Sequence, residues 1–516
     1  MVRASMVPML LAYGALAAQV AQPPQSGPAP LSTQVKQLSL REALQLSLQN
    51  NLQVDISQQT RDVAKAQIPV TQGAFDWNLA ANAQVQRLDN AASGYLAKGG
   101  PYYLQTSTSY DRTLTFDLSK PLEWGGSLDL NYNPTFNYEK GTIYGYPAAG
   151  SNLPWSTQTP YTGAFTATYT QSLLQGFGTK LTTAPVVIAR KNADAADYTF
   201  KLAIISLLSS TEADYWNVVY NQRNLANKKI SLELAQKQLN ENMVRLKVGT
   251  MAPLDVTSAE AQVAQAEQNI ISAEADLANS KDTLVRDLYP NAERPGDLEL
   301  TDAPTLGHTQ LGEADAVKMA LDRRLELKAA KVNQDVNALQ LEVSQDKVRP
   351  QLNAFVAYNG ASDNYNALGP VNTDLGGAKY PGYTVGFKFA VPIQNRTAKG
   401  NLSAARANLR SAELNLRNQE LSIILQVRQA VRNIDATEKG VKAAEKTRYL
   451  QEKTLEAEQK KFDNGMSTNF NVLQDMTNLD QARTAETQAQ IAYATAVTAL
   501  EVAVGDLLEA RNFTIQ

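Results

Sequence analysis

Two stretches read as uninterrupted helix, from Pro185 to about Val248 and from about Leu402 to Asn464. Proline suits the first turn of the earlier one, and Gly249 and Gly465 supply the breaks that end both. A helix of about 63 residues is about 95 Å long, whereas ordinary globular helices hold about 11–12 residues. No soluble domain has a core deep enough to bury such a rod from end to end, so a coiled coil is implied. Each rod is followed by a returning helix: Pro253 opens the first, which ends before Pro290, and the second ends near Leu508. On the first, Val256, Ala259, Val263, Ala266, Ile270, Ala273, Leu277, Ser280, Leu284 and Leu288 alternate steps of three and four, the heptad pattern of a left-handed supercoil. In the second, Asp475 and Glu486 interrupt the seam. Heptads alone do not decide between a plain helical hairpin and a closed helical barrel.

The two hairpins are parts of a larger repeat. With Gly249 placed over Gly465, Ala189-Arg190-x-Asn192 falls on Ala405-Arg406-x-Asn408, Leu239 on Leu455, Val256 on Val472, and Gln265-Ala266 on Gln481-Ala482. The halves also begin alike, with Glu42-Ala43-Leu44 through Asn51-Leu52 resembling Asp315-Ala316-Val317 through Arg324-Leu325. Chance matching between Ala-rich helices is the alternative; the shared order of helix, strands, very long helix, turn and long helix favours duplication. The expected layout is a leader over 1–18, a flexible segment over 19–37 and a first repeat over 38–289, with strands at about 75–174 and a hairpin at 185–289. A linker over 290–310 follows, then a second repeat over 311–508, with strands at about 351–393 and a hairpin at 400–508, and a tail over 509–516. Within the first repeat, Leu40 to about Thr71 reads as one helix.

The leader rests on Arg3, the apolar run Met6 to Ala15 and an Ala15-Leu16-Ala17 cleavage site. No later segment holds the roughly 20 unbroken apolar residues of a membrane-crossing helix, which leaves an exported chain that is periplasmic, secreted or an outer-membrane barrel. The near-balanced charge, −3 overall, provides no cationic face for nucleic acid. The absence of cysteine excludes thiolate chemistry, and the lone histidine, His308, reads as a solvated loop residue. Carboxylate pairs such as Glu260 and Glu267 stand at coiled-coil spacing and read as solvated faces. No G-x-S-x-G, H-E-x-x-H, dinucleotide or P-loop signature is present, so neither an enzyme nor a cofactor or metal site is expected.

Between the helices of each half the period falls to two. Trp77 to Val85, Thr113 to Leu118, Leu128 to Tyr132, Phe165 to Thr170, Leu352 to Tyr358 and Tyr383 to Phe389 alternate apolar and polar residues. Membrane strands need only about 9–11 residues of this kind. Tyr102, Tyr103, Tyr110, Trp124, Tyr132, Phe136, Tyr144, Trp155 and Tyr161 supply material for interfacial girdles. The Gly/Ser/Asn/Tyr-rich stretches at about 88–110, 138–160 and 361–380 are expected to be extracellular loops. A soluble β-sandwich capping a coiled coil shares this alternation. One chain has too few strands to enclose a roomy barrel, so a membrane reading requires oligomerisation.

The whole plan resembles the TolC-like outer-membrane efflux channel family. Arg245-x-x-Val248-Gly249-Thr250-x-x-x-x-Asp255-Val256 resembles that family's helical tip. Lys461-Phe462-x-Asn464-Gly465-Met466-x-Thr468-x-x-Asn471-Val472 does so more loosely. Gln171-Ser172-Leu173-Leu174-Gln175-Gly176-Phe177-Gly178 and Val391-Pro392-Ile393 are similar to segments that leave the barrel. The resemblance implies a mainly α protein with membrane β-strands: a homotrimer in outer-membrane lipid, with a periplasmic α-helical barrel and a β-barrel. It also implies a periplasmic adaptor and an inner-membrane transporter as partners. Adaptor docking would fall on Val248, Gly249, Thr250, Asn464, Gly465 and Met466. A tip latch would fall on Arg245 and Lys461, and a pore constriction on Asp255, Asn471, Gln474 and Asp475. Where well-known members carry carboxylates six and nine residues after the second tip glycine, this chain has Asn471 and Gln474, and Asp475 is turned about 100° away. A ring of amides would close sterically and attract cations less. An additional hairpin around Glu123-Trp124-Gly125-Gly126 leaves 12 or 18 strands open. The rival to a channel is a coiled-coil scaffold without a pore.

Overall fold

The computed structural model describes residues 35–96, 102–144, 152–290, 297–304, 307 and 311–513. The leader, the rest of the chain before residue 35, and His308 lie outside the described residues. The first half runs β1 (Val35–Leu38), α1 (Leu40–Asn50), α2 (Leu52–Gln72), β2 (Asn78–Leu96), β3 (Tyr102–Pro121), β4 (Gly126–Tyr144), β5 (Asn152–Ser172), α3 (Thr179–Thr182), α4 (Ala184–Lys247) and α5 (Pro253–Leu288). The second runs β6 (Asp297–Leu300), α6 (Glu313–Arg323), α7 (Leu325–Asp346), β7 (Gln351–Ala361), α8 (Leu368–Gly376), β8 (Tyr380–Ala390), α9 (Arg396–Asp463), α10 (Asn469–Val504) and α11 (Leu507–Ala510).

The rods are real: α4 has 64 residues and α9 has 68, about 96 and 102 Å at the helical rise. The helix expected over 40–71 is broken. Ser39 and Glu42 form a reciprocal capping box that starts α1, and Asn51 leaves helical geometry to cap α2. Arg324 is extended at the corresponding place between α6 and α7, so the duplication extends to this break.

The helices form a palisade. α2 and α5 lie along one flank of α4, α7 and α10 lie between α4 and α9, and α9 forms the other flank. All ten heptad positions of α5 are buried or half-buried. The seam of α10 is irregular because that helix packs on α4 and α9 at once. Its polar interruptions meet partners, Asp475 accepting from Asn478 at 3.4 Å and Glu486 pairing with Arg448 at 2.9 Å.

At the waist, β1 pairs in parallel with β6, so the segment ending at 37 and the linker 290–310 each contribute a strand. Leu38, Leu298 and Leu300 pack there on Tyr215, Trp216, Leu284 and Leu288. The buried Tyr215 hydroxyl donates to the Leu38 carbonyl at 3.1 Å, and burial pushes its phenol up from the ordinary range.

Among the described residues one antiparallel sheet has the order β2-β3-β4-β5-β7-β8, so the additional hairpin joins the wall. Strands β2 to β5 hold 19–21 residues each, about twice what a bilayer needs. Much of the loops expected over 88–110 and 138–160 is therefore strand. Tyr, Thr and Ser in these stretches suit an extended, half-solvated ribbon. The expected loop 361–380 contains α8, which packs on β5 and β7.

Candidate functional site

The sheet has two chemically opposite faces, fixed by register. Ala81, Phe116, Tyr132, Phe165 and Gly360 line up across one row; Leu79, Leu118, Leu130, Ala167, Tyr358 and Tyr383 line up across another on the same face. Val85, Val385 and Phe387 on this face are more than 70% exposed, an arrangement that suits lipid and not water. Aromatic residues bound it at both ends. At the helix-proximal end Trp77 lies under Lys120, and the Trp124 indole donates to the Tyr169 hydroxyl at 3.1 Å. At the far end Phe136 packs on Tyr161 and Tyr110 on Tyr138. From Tyr169 to Tyr161 a strand climbs about 27 Å before tilt, close to the roughly 25 Å of an apolar membrane band. The opposite face carries Asn82, Thr115, Asn131, Asn133, Thr166 and Asn359. Asp111, Asp117, Asp129, Glu139 and Lys388 also fall on it by register.

At the opposite end of the rods, the two tips share one geometry. Gly249 has φ +78° and Gly465 φ +74°. The Thr250 amide donates to the Arg245 carbonyl at 2.9 Å and the Met466 amide to the Lys461 carbonyl at 2.8 Å, the bond pattern of a Schellman stop. Open space surrounds both glycines, so positive φ, not crowding, requires them. Val248, Gly249, Thr250, Asn464, Gly465 and Met466 are all exposed.

Arg245 reaches from α4 to the other hairpin of its own chain. Its guanidinium donates to the Phe462 carbonyl at 3.2 Å, pairs with Asp463 at 2.6 Å and lies 4.3 Å from the Phe462 ring centroid. Lys461 pairs along its own helix with Glu458 at 2.9 Å, and Glu458 also accepts from the Ser467 hydroxyl. Ser467 first, and Lys461 second, hold the Glu458 carboxyl below its usual range. Asn471 and Gln474 are exposed, with Gln474 donating to Asn478; Asp475 is half-buried and accepts from Asn478. Asp255 sits on the first turn of α5, where its carbonyl, not its carboxylate, is the group engaged.

That carbonyl belongs to a buried amide cluster that the sequence reading missed. Gln238, Asn242 and Asn469 are at most 3% exposed. The Asn469 side-chain oxygen accepts from Asn242 at 2.8 Å and from Gln238 at 3.2 Å, while its amide donates to the Asp255 carbonyl at 3.1 Å. The cluster ties α4, α5 and α10 together just above the tips. The four-residue spacing of Gln238 and Asn242 was the available signal, but on a long helix it also reads as a solvated pair. A second missed cluster sits at the waist: Arg511 donates to the buried Glu212 at 2.9 Å, and Thr498 donates to the same carboxylate at 2.7 Å.

Helical staves about 100 Å long, ending in a sheet with one lipid-suited and one water-suited face, define the wall of a membrane-anchored duct. The profile of the outer membrane efflux protein family matches residues 131–288 and 316–506, and the chain belongs to that family of outer-membrane channels. TolC of Escherichia coli (strain K12) is 27% identical over 216 residues, 40% of this chain and 42% of that protein, so the match spans less than half of that relative. Among solved structures, VceC from Vibrio cholerae superposes with a TM-score of 0.64 at 15% identity, covering 90% of this chain and 96% of that one. The CmeC outer membrane channel of Campylobacter jejuni does so at 0.61 and 14%, covering 91% and 86%. At such identities the likeness speaks to the fold: an internally duplicated α-barrel wall with the strands of a β-barrel. The protein is placed in the cell outer membrane, in a family of transport channels and not of enzymes.

Proposed function

We propose that three copies of this chain close into one duct that conducts substrates from an inner-membrane transporter and its periplasmic adaptor across the periplasm and outer membrane. The observation that carries this reading is the match between the open edges of the two layers. β2 and β8 are the unpaired edges of the sheet; β2 follows α2 on one flank of the palisade, and β8 leads into α9 on the other. The same flanks expose apolar stripes: Ile56, Val63 and Val70 on α2, and Leu414, Leu421 and Leu425 on α9, all more than half exposed. One closure operation would satisfy both the backbone edges and the stripes, and a closed sheet is the form that lipid tolerates. With six strands per protomer the trimer has eighteen, a size that leaves an aqueous channel.

The tips are the docking surface for the adaptor. Val248, Met466 and Phe470 are 68%, 70% and 71% exposed beside Gly249 and Gly465, an apolar surface that Thr250 and Asn464 border. The constriction falls on Asn471 and Gln474, with Asp255 and Asp475 near them, so closure is steric. Arg245 already holds Asp463 of the other hairpin, which supports a latch that keeps each protomer's two hairpins moving as a unit, whereas Lys461 is engaged within its own helix.

Purified protein reconstituted in planar bilayers tests the reading: discrete conductance steps from a cross-linkable trimer are expected. A monomer without conductance overturns it and favours a scaffold. Replacing Val248, Met466 and Phe470 by Ser is expected to abolish export while trimers still assemble.

A further inference from the structure

The charges of the sheet are sorted by face. Arg87, Arg112, Lys120 and Lys140 fall with Asp89 on the apolar face, whereas Asp111, Asp117, Asp129 and Glu139 fall with Lys388 on the polar one. Three of the outward cations gather at the far end of the apolar band, in three successive rows. Arg112 stands beside Phe136 and Tyr161, Arg87 beside Tyr110 and Tyr138, and Lys140 in the row of Thr108 and Asp89. Arg87 and Lys140 lie 5.6 and 5.7 Å from the centroid of the same Tyr110 ring, and Arg112 lies 5.5 Å from that of Phe136. Asp89 pairs with Arg87 at 3.0 Å, while Arg112 has no ion-pair partner among the described residues, so the cluster keeps an excess of positive charge. All three cations are exposed.

A cation facing hydrocarbon is costly, and its cost falls to almost nothing at the interface. Here the cations stand where the apolar rows end and the aromatic girdle begins, at the depth of lipid headgroups. We propose that Arg87, Arg112 and Lys140 form a binding site for the phosphate groups of a phosphorylated glycolipid in the outer leaflet. The rings hold the guanidinium planes in place, and charge-assisted hydrogen bonds to phosphate oxygens supply the affinity. This site rests on the barrel reading for its orientation toward lipid.

The test uses detergent-solubilised full-length protein, with bound lipid counted by native mass spectrometry. The probes are bisphosphorylated lipid A, its fully dephosphorylated form, and inorganic phosphate. The wild type is expected to retain the bisphosphorylated lipid and to bind the other two weakly. At about five-fold per cation removed, R87Q/R112Q/K140Q is expected to lose about a hundredfold in affinity, and Lys120→Gln at the opposite rim to lose none. Equal retention by the triple variant, or equal binding of the dephosphorylated lipid, overturns the proposal. So does inorganic phosphate that binds as tightly as the lipid and displaces it. Should the triple variant fail to assemble, Arg112→Gln alone, with its about five-fold loss, decides the matter. Bilayer conductance, measured in parallel, separates failure of this site from failure of the channel reading.

Discussion

Asn469 is the keystone of the tip, and its removal should be felt locally. In Asn469→Ala three hydrogen bonds across the two hairpins vanish: those from Gln238 and Asn242, and the one to the Asp255 carbonyl. Gln238 keeps its 3.0 Å bond to the Asn242 oxygen, but Asn242 is left with only a 3.5 Å contact to the same carbonyl. With Asn242 fully buried, water does not replace what is lost. A net hydrogen bond contributes about 0.5–1.5 kcal/mol, and a stranded buried donor costs about 1–3. The three bonds alone sum to about 3 kcal/mol for opening the tip, which multiplies the open population by at least roughly a hundredfold. Amide hydrogen exchange on the purified protein should show this acceleration over residues 235–247 and 469–476, with the strands β2 to β5 unchanged. Unaltered exchange at the tip would show that the cluster holds nothing. Acceleration spread evenly through the chain would show that it supports the whole fold instead.

Gly125, with φ +88°, has the carbonyl oxygen of Gly176 only 2.1 Å from where a Cβ would stand. Gly125→Ala is therefore expected to prevent the hairpin between β3 and β4 from seating and to abolish heat-resistant oligomers on gels. Acid should loosen the α9 tip: the depressed Glu458 pKa contributes stability that is complete above the ordinary carboxylate range and is lost as pH falls through the lower folded value. Melting followed against pH should fall below about pH 5, and Glu458→Gln should flatten that fall. The polar face bears four carboxylates to one lysine by register, so the duct is expected to favour cations. Reversal potentials across a KCl gradient should show this and should shrink in D117N/D129N.

Much of this fold was legible because its most demanding feature is one-dimensional. Rod length, the stops at Gly249 and Gly465, and the heptads of α5 follow from spacing along one helix, and all three stand in the structure. What was hidden depends on partners far away in sequence. β1 and β6 are four residues each and pair across the whole first repeat, too short for alternation to register. The seam of α10 looked interrupted because two helices read it from different sides. Asn469 looked like any polar residue at a helix start until Asn242, 227 positions earlier, arrived beside it. The long strands were obscured by Ser, Gly and Tyr, which a ribbon between lipid and water accommodates as readily as a loop does.

The two halves diverge in a way that fixes the shape of the outer rim. β7 and β8 hold 11 residues each, while β2 and β5 hold 19 and 21. β7 covers only Ala164 to Ser172 of β5, and β8 can offer a neighbouring β2 no more than its own length. In the proposed trimer the upper parts of β2 to β5 then rise as a four-stranded lobe with two edges that nothing on the wall completes. Such edges invite pairing with other chains unless they are blunted. On β2 the means are Arg87 and Asp89 at the start of the free stretch and a register shift between Asn90 and Ser93. On β5 the edge is met at Tyr161 by a single antiparallel bridge to Tyr365, on the segment that carries α8. α8 itself lies beside this bridge on the apolar face, where its Val371 meets Gly163 and its Asn372 accepts from the Tyr132 hydroxyl. Deleting residues 364–376 should expose the edge at Tyr161 and turn dispersed trimers into larger aggregates on size-exclusion chromatography, and unchanged dispersity would refute an edge-covering role for the Tyr365 segment.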